Sequence, residues 1–497
     1  MTVTLDDRRD FHLVNYERVT RHGEGVEIGA GARQAMEDAR RSFLALLDSD
    51  RDQFIYGVTT GAGEGARHRI APEDQRAATR RVAESHRGAA SFGGGDLPER
   101  AVRGIVFARL ANFVGGHAKT RPVVAERIAD LLDGPLPRVP LAGEVFAGEI
   151  VPLFRVVAPI DVSDLEEGEP MALINGSPCS AALVAEVALD SSRRLRLAEQ
   201  VFALSIEALG APLEAYDPAL AALWGDPYEA AALQHFARLL DGASTTGRRP
   251  YQAPVSWRIL PRVLGQAGRA VSTASEVAAI SLRSVTDNPV YLLPDEAHPL
   301  GRAISTGGYH NASAYPAIDG VSGSWADLCA LAERHTAKLH DGPVSLLPHH
   351  LASDTAPGAS RTHLLCLSVA GFGEEARHQA ARTFLPMSES GGFGGQNDVP
   401  SPIFLTYARH GRVAWCLDAC LACLAASASQ ALWVTDREPA PALRPFLAGV
   451  RSFVDPGAPA TGRDLGTEVE ALTTALGEAA VDDTGAFGPF ATAAAVD

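Results

Sequence analysis

The chain has 497 residues, 46% of them hydrophobic and 21% charged, so it can bury a large core and lies outside the disordered class. Its 44 Lys+Arg against 60 Asp+Glu leave a formal charge of −16, which repels phosphate backbones and anionic lipid and argues against a nucleic-acid or membrane partner. Six cysteines are too sparse for a disulfide framework, and the start, MTVTLDDRRDFHLV, lacks the basic and apolar regions of an export signal, so a cytoplasmic protein is expected.

Pro98 opens PERAVRGIVFARLANFV, where Val102, Ile105, Val106, Leu110 and Phe113 recur at helical spacing. Pro122 holds a first helical position in RPVVAERIADLLDG, with Val124, Ile128, Leu131 and Leu132 on one stripe and Gly134 as the stop. Ala- and Leu-rich patterns then predict long helices over about 179–210, 262–285, 322–340, 361–385 and 402–432. Residues 413–434 are about long enough to span a bilayer, but Asp418 and several serines point to a helix buried in a bundle. Cys416, Cys420 and Cys423 share one helical face there and read as core packing rather than a soft-metal site. The fold class is mainly α, with an N-terminal region over 1–185, a central long-helix region over 186–440 and a C-terminal segment over 441–497 that ends in a loosely held tail.

Between the helices lie Gly- and Pro-rich segments at 56–65, 87–98, 134–155, 241–257, 286–320 and 386–402, several longer than ordinary helix connections. Tyr56 borders the glycine-rich run YGVTTGAG, and Asn175 ends the apolar run MALIN, where a helix cap is its simplest role. Gln252 and Arg258 flank the loop QAPVSWR, whose guanidinium offers a fork for a carboxylate, although a surface Arg has the same appearance. The runs TDNP (286–289), GGYH (307–310) and GQNDVPS (395–401) are, singly, turn chemistry.

The order and spacing of these runs resemble the histidine and phenylalanine ammonia-lyase family, the aromatic amino acid lyases, along nearly the whole chain. Family motifs of the form YGV-T-TG-G, Ser-His, ALxNG, QDxYSxR, TDNP, GNFHG and Gln/Glu-Asp-x-x-Ser are matched at 56–63, 85–86, 172–176, 252–258, 286–289, 307–311 and 397–401. The resemblance implies the ammonia-lyase (fumarase/aspartase-like) fold, a central bundle of long helices in a homotetramer whose active sites gather loops from three chains. It implies Tyr56 as the base that takes a proton from carbon, Arg258 as the ligand of the substrate carboxylate and Asn175 beside the family's prosthetic ring. Tyr309 and His310 fall on a loop lining the pocket, and His86 on a position that sets its size and polarity. Gln252 and Asn397 complete the implied substrate contacts.

The family's prosthetic group is a methylidene-imidazolone (MIO) made from Ala-Ser-Gly within GSVGASGDLAPL. Here the corresponding stretch reads GEVFAGEIVPL, one residue short, so that Phe146, Ala147 and Gly148 stand in a degenerate loop. No Ser, Thr or Cys occurs from 141 to 153, and the methylidene requires dehydration of such a side chain, so no MIO cofactor is expected. Val255 replaces the family's Tyr in QDxYSxR, Asn397 replaces the late Glu or Gln, and the connection from 152 to 172 is shorter than the family's. Glu149 matches a family Asp and reads as holding nearby backbone amides. Glu144, in the place of a family Ser, is a candidate acid or base with a solvated role as the alternative. Adjacent His349 and His350 cannot both face one ion from a regular helix, so no metal is expected.

Without the ring, abstraction of the weakly acidic β-proton of an ordinary amino acid lacks its activator. A substrate that brings its own electron sink needs only a positioned base, a role open to Tyr56 if neighbouring donors lower its pKa. The leading reading is a lyase-type enzyme independent of MIO, acting on a small carboxylic, amino-acid-derived substrate by elimination, conjugate addition, cyclisation or isomerisation, with Tyr56, Tyr309 and Glu144 as candidate catalytic groups. A catalytically silent homologue that binds a ligand or partners an active subunit is the second reading, and a true ammonia-lyase the third.

Overall fold

A computed structural model of the chain describes residues 2–50, 52–84, 92–141, 148–353, 362–386, 395, 397–457, 463–482 and 487. Its elements, in chain order, are β1 (Thr2–Leu5), α1 (Leu13–Thr20), β2 (Gly25–Ile28), α2 (Ala30–Ser49), α3 (Gln75–Glu84), α4 (Glu99–Val114), α5 (Pro122–Ala129), α6 (Ile150–Val156), α7 (Glu169–Ile174) and α8 (Pro178–Leu209). There follow α9 (Leu220–Trp224), α10 (Pro227–Leu239), α11 (Val255–Arg258), α12 (Leu260–Arg283), β3 (Val290–Leu292), β4 (Arg302–Ile304), α13 (Ala314–His340) and α14 (Gly342–Ser345). The chain continues through α15 (Leu365–Gln379), α16 (Ile403–Val434), α17 (Arg444–Phe453) and α18 (Leu465–Val481). The mainly α class read from periodicity is the observed one, and the long patterns at 179–210, 262–285 and 402–432 correspond to α8, α12 and α16.

Two compact units divide the chain. The first takes 1–187 together with 274–318 and 383–408; the second takes 188–273, 319–382 and 409–497. The continuous stretch that opens the first unit ends two residues beyond the 1–185 region read from the sequence. Two further segments, distant in sequence, join that unit in space.

In the first unit α4 is buried on every side from Ala101 to Val114. Phe11 and Tyr16 pack on its Phe107 at ring separations of 5.0 and 6.0 Å. The Tyr16 hydroxyl lies 3.0 Å from the Ala182 carbonyl and 3.1 Å from Glu186, fixing α1 to the first half of α8. β1 and β2 pair in parallel, and β3 and β4 form an antiparallel hairpin in which Tyr291 faces Ala303. That hairpin matters for function, because it brings the residues just before 290 beside those just after 304.

The second unit holds residues 188–209 of α8, 260–273 of α12, 319–340 of α13 and 409–434 of α16. Asp418, the one acid of the apolar helix α16, is answered by the Arg194 guanidinium through bonds of 2.9 and 3.1 Å, which is how a charge is kept inside so apolar a helix. Trp257 stacks on His335 at 3.7 Å, and the Ser205 hydroxyl bonds the same imidazole at 2.9 Å. Cys416, Cys420 and Cys423 are buried, and among the described residues no three His, Cys, Asp or Glu side chains are arranged to hold a metal ion. Residues 169–209 and 403–434 are long and apolar enough to cross a membrane, yet 94% and 89% of their apolar windows are buried inside the protein.

Candidate active site

Tyr56 is presented by a tight turn. The N–H groups of Val58, Thr59 and Thr60 all point to the Ile55 carbonyl at 3.0–3.2 Å, and the Thr59 hydroxyl accepts from the Ile55 N–H at 2.8 Å. Gly57 takes φ of +67°, and a Cβ there would lie 2.5 Å from the Met171 side chain, so the turn needs glycine both for its backbone and for its approach to α7.

Two polar side chains on the buried helix α4 bolt the other loops together. Arg109 donates to the carbonyls of Ala172 and Asn175 and meets Asp287 Oδ1 at 2.5 Å. Asn112 accepts from the Thr286 N–H at 2.6 Å, and the Thr286 hydroxyl accepts from the Ser177 N–H at 2.9 Å. The ALING and TDNP runs are thereby joined. Asn288 then accepts from the Ser305 hydroxyl at 3.1 Å and the Thr306 N–H at 2.9 Å, tying the start of the hairpin to its end.

These loops enclose a cavity of about 290 Å³ within the first unit. Tyr56, Asn175, Tyr309 and Asn397, four of the residues singled out from the sequence, line it together. Asn175 is also the C-terminal cap of α7, so it both ends that helix and lines the cavity. Ile150, Asn288, Ser305, Thr306 and Gly307 complete the lining. Asn288 and Gly307 lie inside quoted motifs; Ser305 and Thr306 lie in none, and only the hairpin pairing reveals them. Every described lining side chain is neutral.

The phenol of Tyr56 accepts from the Gly63 N–H at 2.9 Å. Burial nevertheless raises its pKa, with the Gly63 bond opposing and Tyr309 adding to the rise. The lowering by neighbouring donors that a base requires is thus present but outweighed in the chain alone.

Gly148 has φ of +73°, and a Cβ on it would come within 3.3 Å of the Tyr309 ring, so the end of the degenerate loop packs on that tyrosine. Beside it, Glu149 is buried and accepts from the N–H groups of Cys179 at 2.5 Å and Ser180 at 2.7 Å, and from the Ser180 hydroxyl at 2.5 Å. It holds the first amides of α8, the role that its match to a family Asp implies. Burial pushes its carboxyl up to about 7 despite these donors.

Gln252 and Arg258 belong to the second unit, where both are exposed. Arg258 ends α11 and its Nε donates to the Ala253 carbonyl at 3.0 Å. His86, Glu144, Phe146 and Ala147 lie outside the described residues.

The structure is thus a long-helix α protein with a loop-built polar cavity, and comparison with known proteins shows the family to which it belongs. The profile of the family described as aromatic amino acid lyase matches residues 12–161 and 156–452. The chain belongs to the aromatic amino acid lyase family and is a lyase-type enzyme. Histidine ammonia-lyase of Streptomyces griseus is 31% identical over 373 residues, spanning 68% of this chain and 70% of that protein. The ergothioneine-degrading ergothionase of Treponema denticola superposes with a TM-score of 0.85 at 16% identity, covering 97% of this chain and 99% of that one. Histidine ammonia-lyase of Trypanosoma cruzi superposes at 0.80 with 20% identity over the whole of both chains.

Proposed function

We propose that this enzyme performs elimination without MIO on a small amino-acid-derived carboxylate that carries its own leaving group, with Tyr56 as the base. One observation carries the reading: residues 141–153 contain no hydroxyl or thiol to become a methylidene, while Tyr56, Asn175, Tyr309 and Asn397 still converge on one cavity. The residues present do not fit the family's prosthetic group, so no step is routed through it.

The chemistry then falls on the substrate. The Tyr56 phenolate takes the β-proton, the electron pair forms the α,β double bond, and the C–N bond breaks with its electrons passing to the departing amine. A primary ammonium that has lost a proton leaves poorly, whereas a quaternary ammonium leaves as a neutral tertiary amine. A permanent cation in the neutral cavity also favours the phenolate electrostatically, countering the burial that holds the Tyr56 proton. Ergothioneine, the compound named for the Treponema denticola enzyme, is a betaine of this type with an imidazole-derived side chain. Histidine, named for the curated relatives, shares the side-chain shape without the leaving group.

The assay is an intact mass of the purified protein followed by a panel of histidine, phenylalanine, tyrosine and ergothioneine, read as ultraviolet absorbance of the unsaturated acid and as amine released. We expect the unmodified mass, no ammonia from the three amino acids and turnover of ergothioneine, the one betaine in the panel. A mass short by two waters overturns independence from MIO. Failure of ergothioneine with an unmodified mass favours the silent homologue, for which the raised pKa of Tyr56 speaks.

We further propose a cytoplasmic homotetramer. For assembly, Leu364 and Leu367 on the second unit are 59% and 72% exposed, and Trp433 is 41% exposed, large apolar side chains that further copies would cover; for location, the six cysteines are too sparse for a disulfide framework and suit a reducing cytoplasm.

A further inference from the structure

Lysine is almost absent from this chain: all but two of its 44 basic residues are arginine, the exceptions being Lys119 and Lys338. Lys119 lies in the turn between α4 and α5, is 1% exposed and takes φ of +55°, a left-handed conformation that costs any residue with a Cβ. A buried ammonium in such a backbone is held by its contacts. Its Nζ donates to the Pro289 carbonyl at 2.8 Å, and its own carbonyl accepts from Arg40 at 3.0 Å. Two residues earlier, the His117 ring bonds the Tyr291 carbonyl at 2.9 Å, and the His117 carbonyl accepts the Tyr291 N–H at 3.1 Å. The turn therefore grips the first strand of the hairpin at 289 and 291. Next to the gripped Pro289 stands Asn288, which lines the cavity and binds Ser305 and Thr306.

We propose that Lys119 is a positioning residue for the candidate site: its ammonium holds the Asn288-Pro289 turn and, through Asn288, the 305–307 wall of the cavity, and the wall loosens when that ammonium loses its proton. Three charged groups face it: Asp287 from the turn, Arg109 from α4 and Arg40 from α2. Burial pushes the ammonium down to about 8, Asp287 opposes the fall, and the two arginines add to it. A charged donor binds a carbonyl roughly twice as strongly as a neutral one, so deprotonation weakens the grip without abolishing it. The proposal does not rest on which reaction the site performs.

The test is hydrogen exchange of the full chain, read by mass spectrometry from about pH 6.5 to about pH 9.5 and divided by the intrinsic rate at each pH. In the wild type and in Lys338→Arg, protection of peptides covering 288–309 should fall by about threefold or more across the titration of Lys119. In Lys119→Met it should be low and flat. Wild-type protection in Lys119→Met at neutral pH, or a fall with pH that persists in that variant, overturns the proposal. If Lys119→Met does not fold, the wild-type profile decides alone, and protection that stays flat through pH 8 overturns it.

Discussion

Glu149 shows how one side chain couples the degenerate loop to the scaffold. It holds the amides of Cys179 and Ser180, and burial raises its carboxyl from the usual 4.5 to about 7. Between those values the folded chain binds more protons than the unfolded one, so the group's contribution favours folding at low pH and is lost as pH rises through about 7. The full swing is about 3 kcal/mol. Glu149→Gln removes the titration and turns an amide donor toward one of the two N–H groups, at a fixed cost of about 1 kcal/mol. The stability advantage of wild type over Glu149→Gln, from denaturant midpoints at pH 5 and pH 8, should therefore shrink with rising pH. An advantage independent of pH would show that the buried carboxyl does not titrate in this window. Tyr56→Phe tests the other end of the site: it removes the proposed base and a single acceptor of the Gly63 N–H, so turnover of the substrate should vanish while the melting temperature moves by only a few degrees.

At the scale of elements, the sequence is most informative where periodicity is long. Apolar spacing places α4, α5, α8, α12 and α16, and of the residues the resemblance singles out, Tyr56, Asn175, Tyr309 and Asn397 line one cavity. The three-residue strands of the β3–β4 hairpin carry no usable pattern, so Ser305 and Thr306 stay hidden until pairing sets them beside Asn288. Arg109 is hidden for another reason: a lone basic residue within a helical run looks like surface, and only its partners, contributed by residues 172, 175 and 287, show that it is the bolt between two loops. Removing the guanidinium in Arg109→Met strands the Asp287 carboxylate in the interior and should cost about 3–5 kcal/mol. Arg109→Lys keeps the charge but cannot span three acceptors, so an intermediate loss is expected. Equal losses in the two variants, measured by thermal unfolding, would mean that charge contributes nothing there.

For the whole molecule, the decisive question is whether Tyr56 and Arg258, which fall in different compact units of the chain, serve one reaction. The family resemblance assigns each active site loops from three chains, and the exposed guanidinium of Arg258 is available for such use. Tyr56→Phe removes the proposed base from its own cavity, and Arg258→Met removes the proposed fork for a carboxylate. In a shared-site tetramer these defects need not fall on the same site. Each variant alone should be inactive; unfolded, mixed in equal amounts and refolded together, they should recover roughly a quarter of wild-type turnover, because random assembly leaves that share of sites with both residues intact. Native mass of the mixture checks that four chains assemble. Recovery would establish that the base and the carboxylate fork of one site come from different copies. An assembled but inactive mixture would put both residues in one chain's site, and a stable monomer would remove the basis for any shared site.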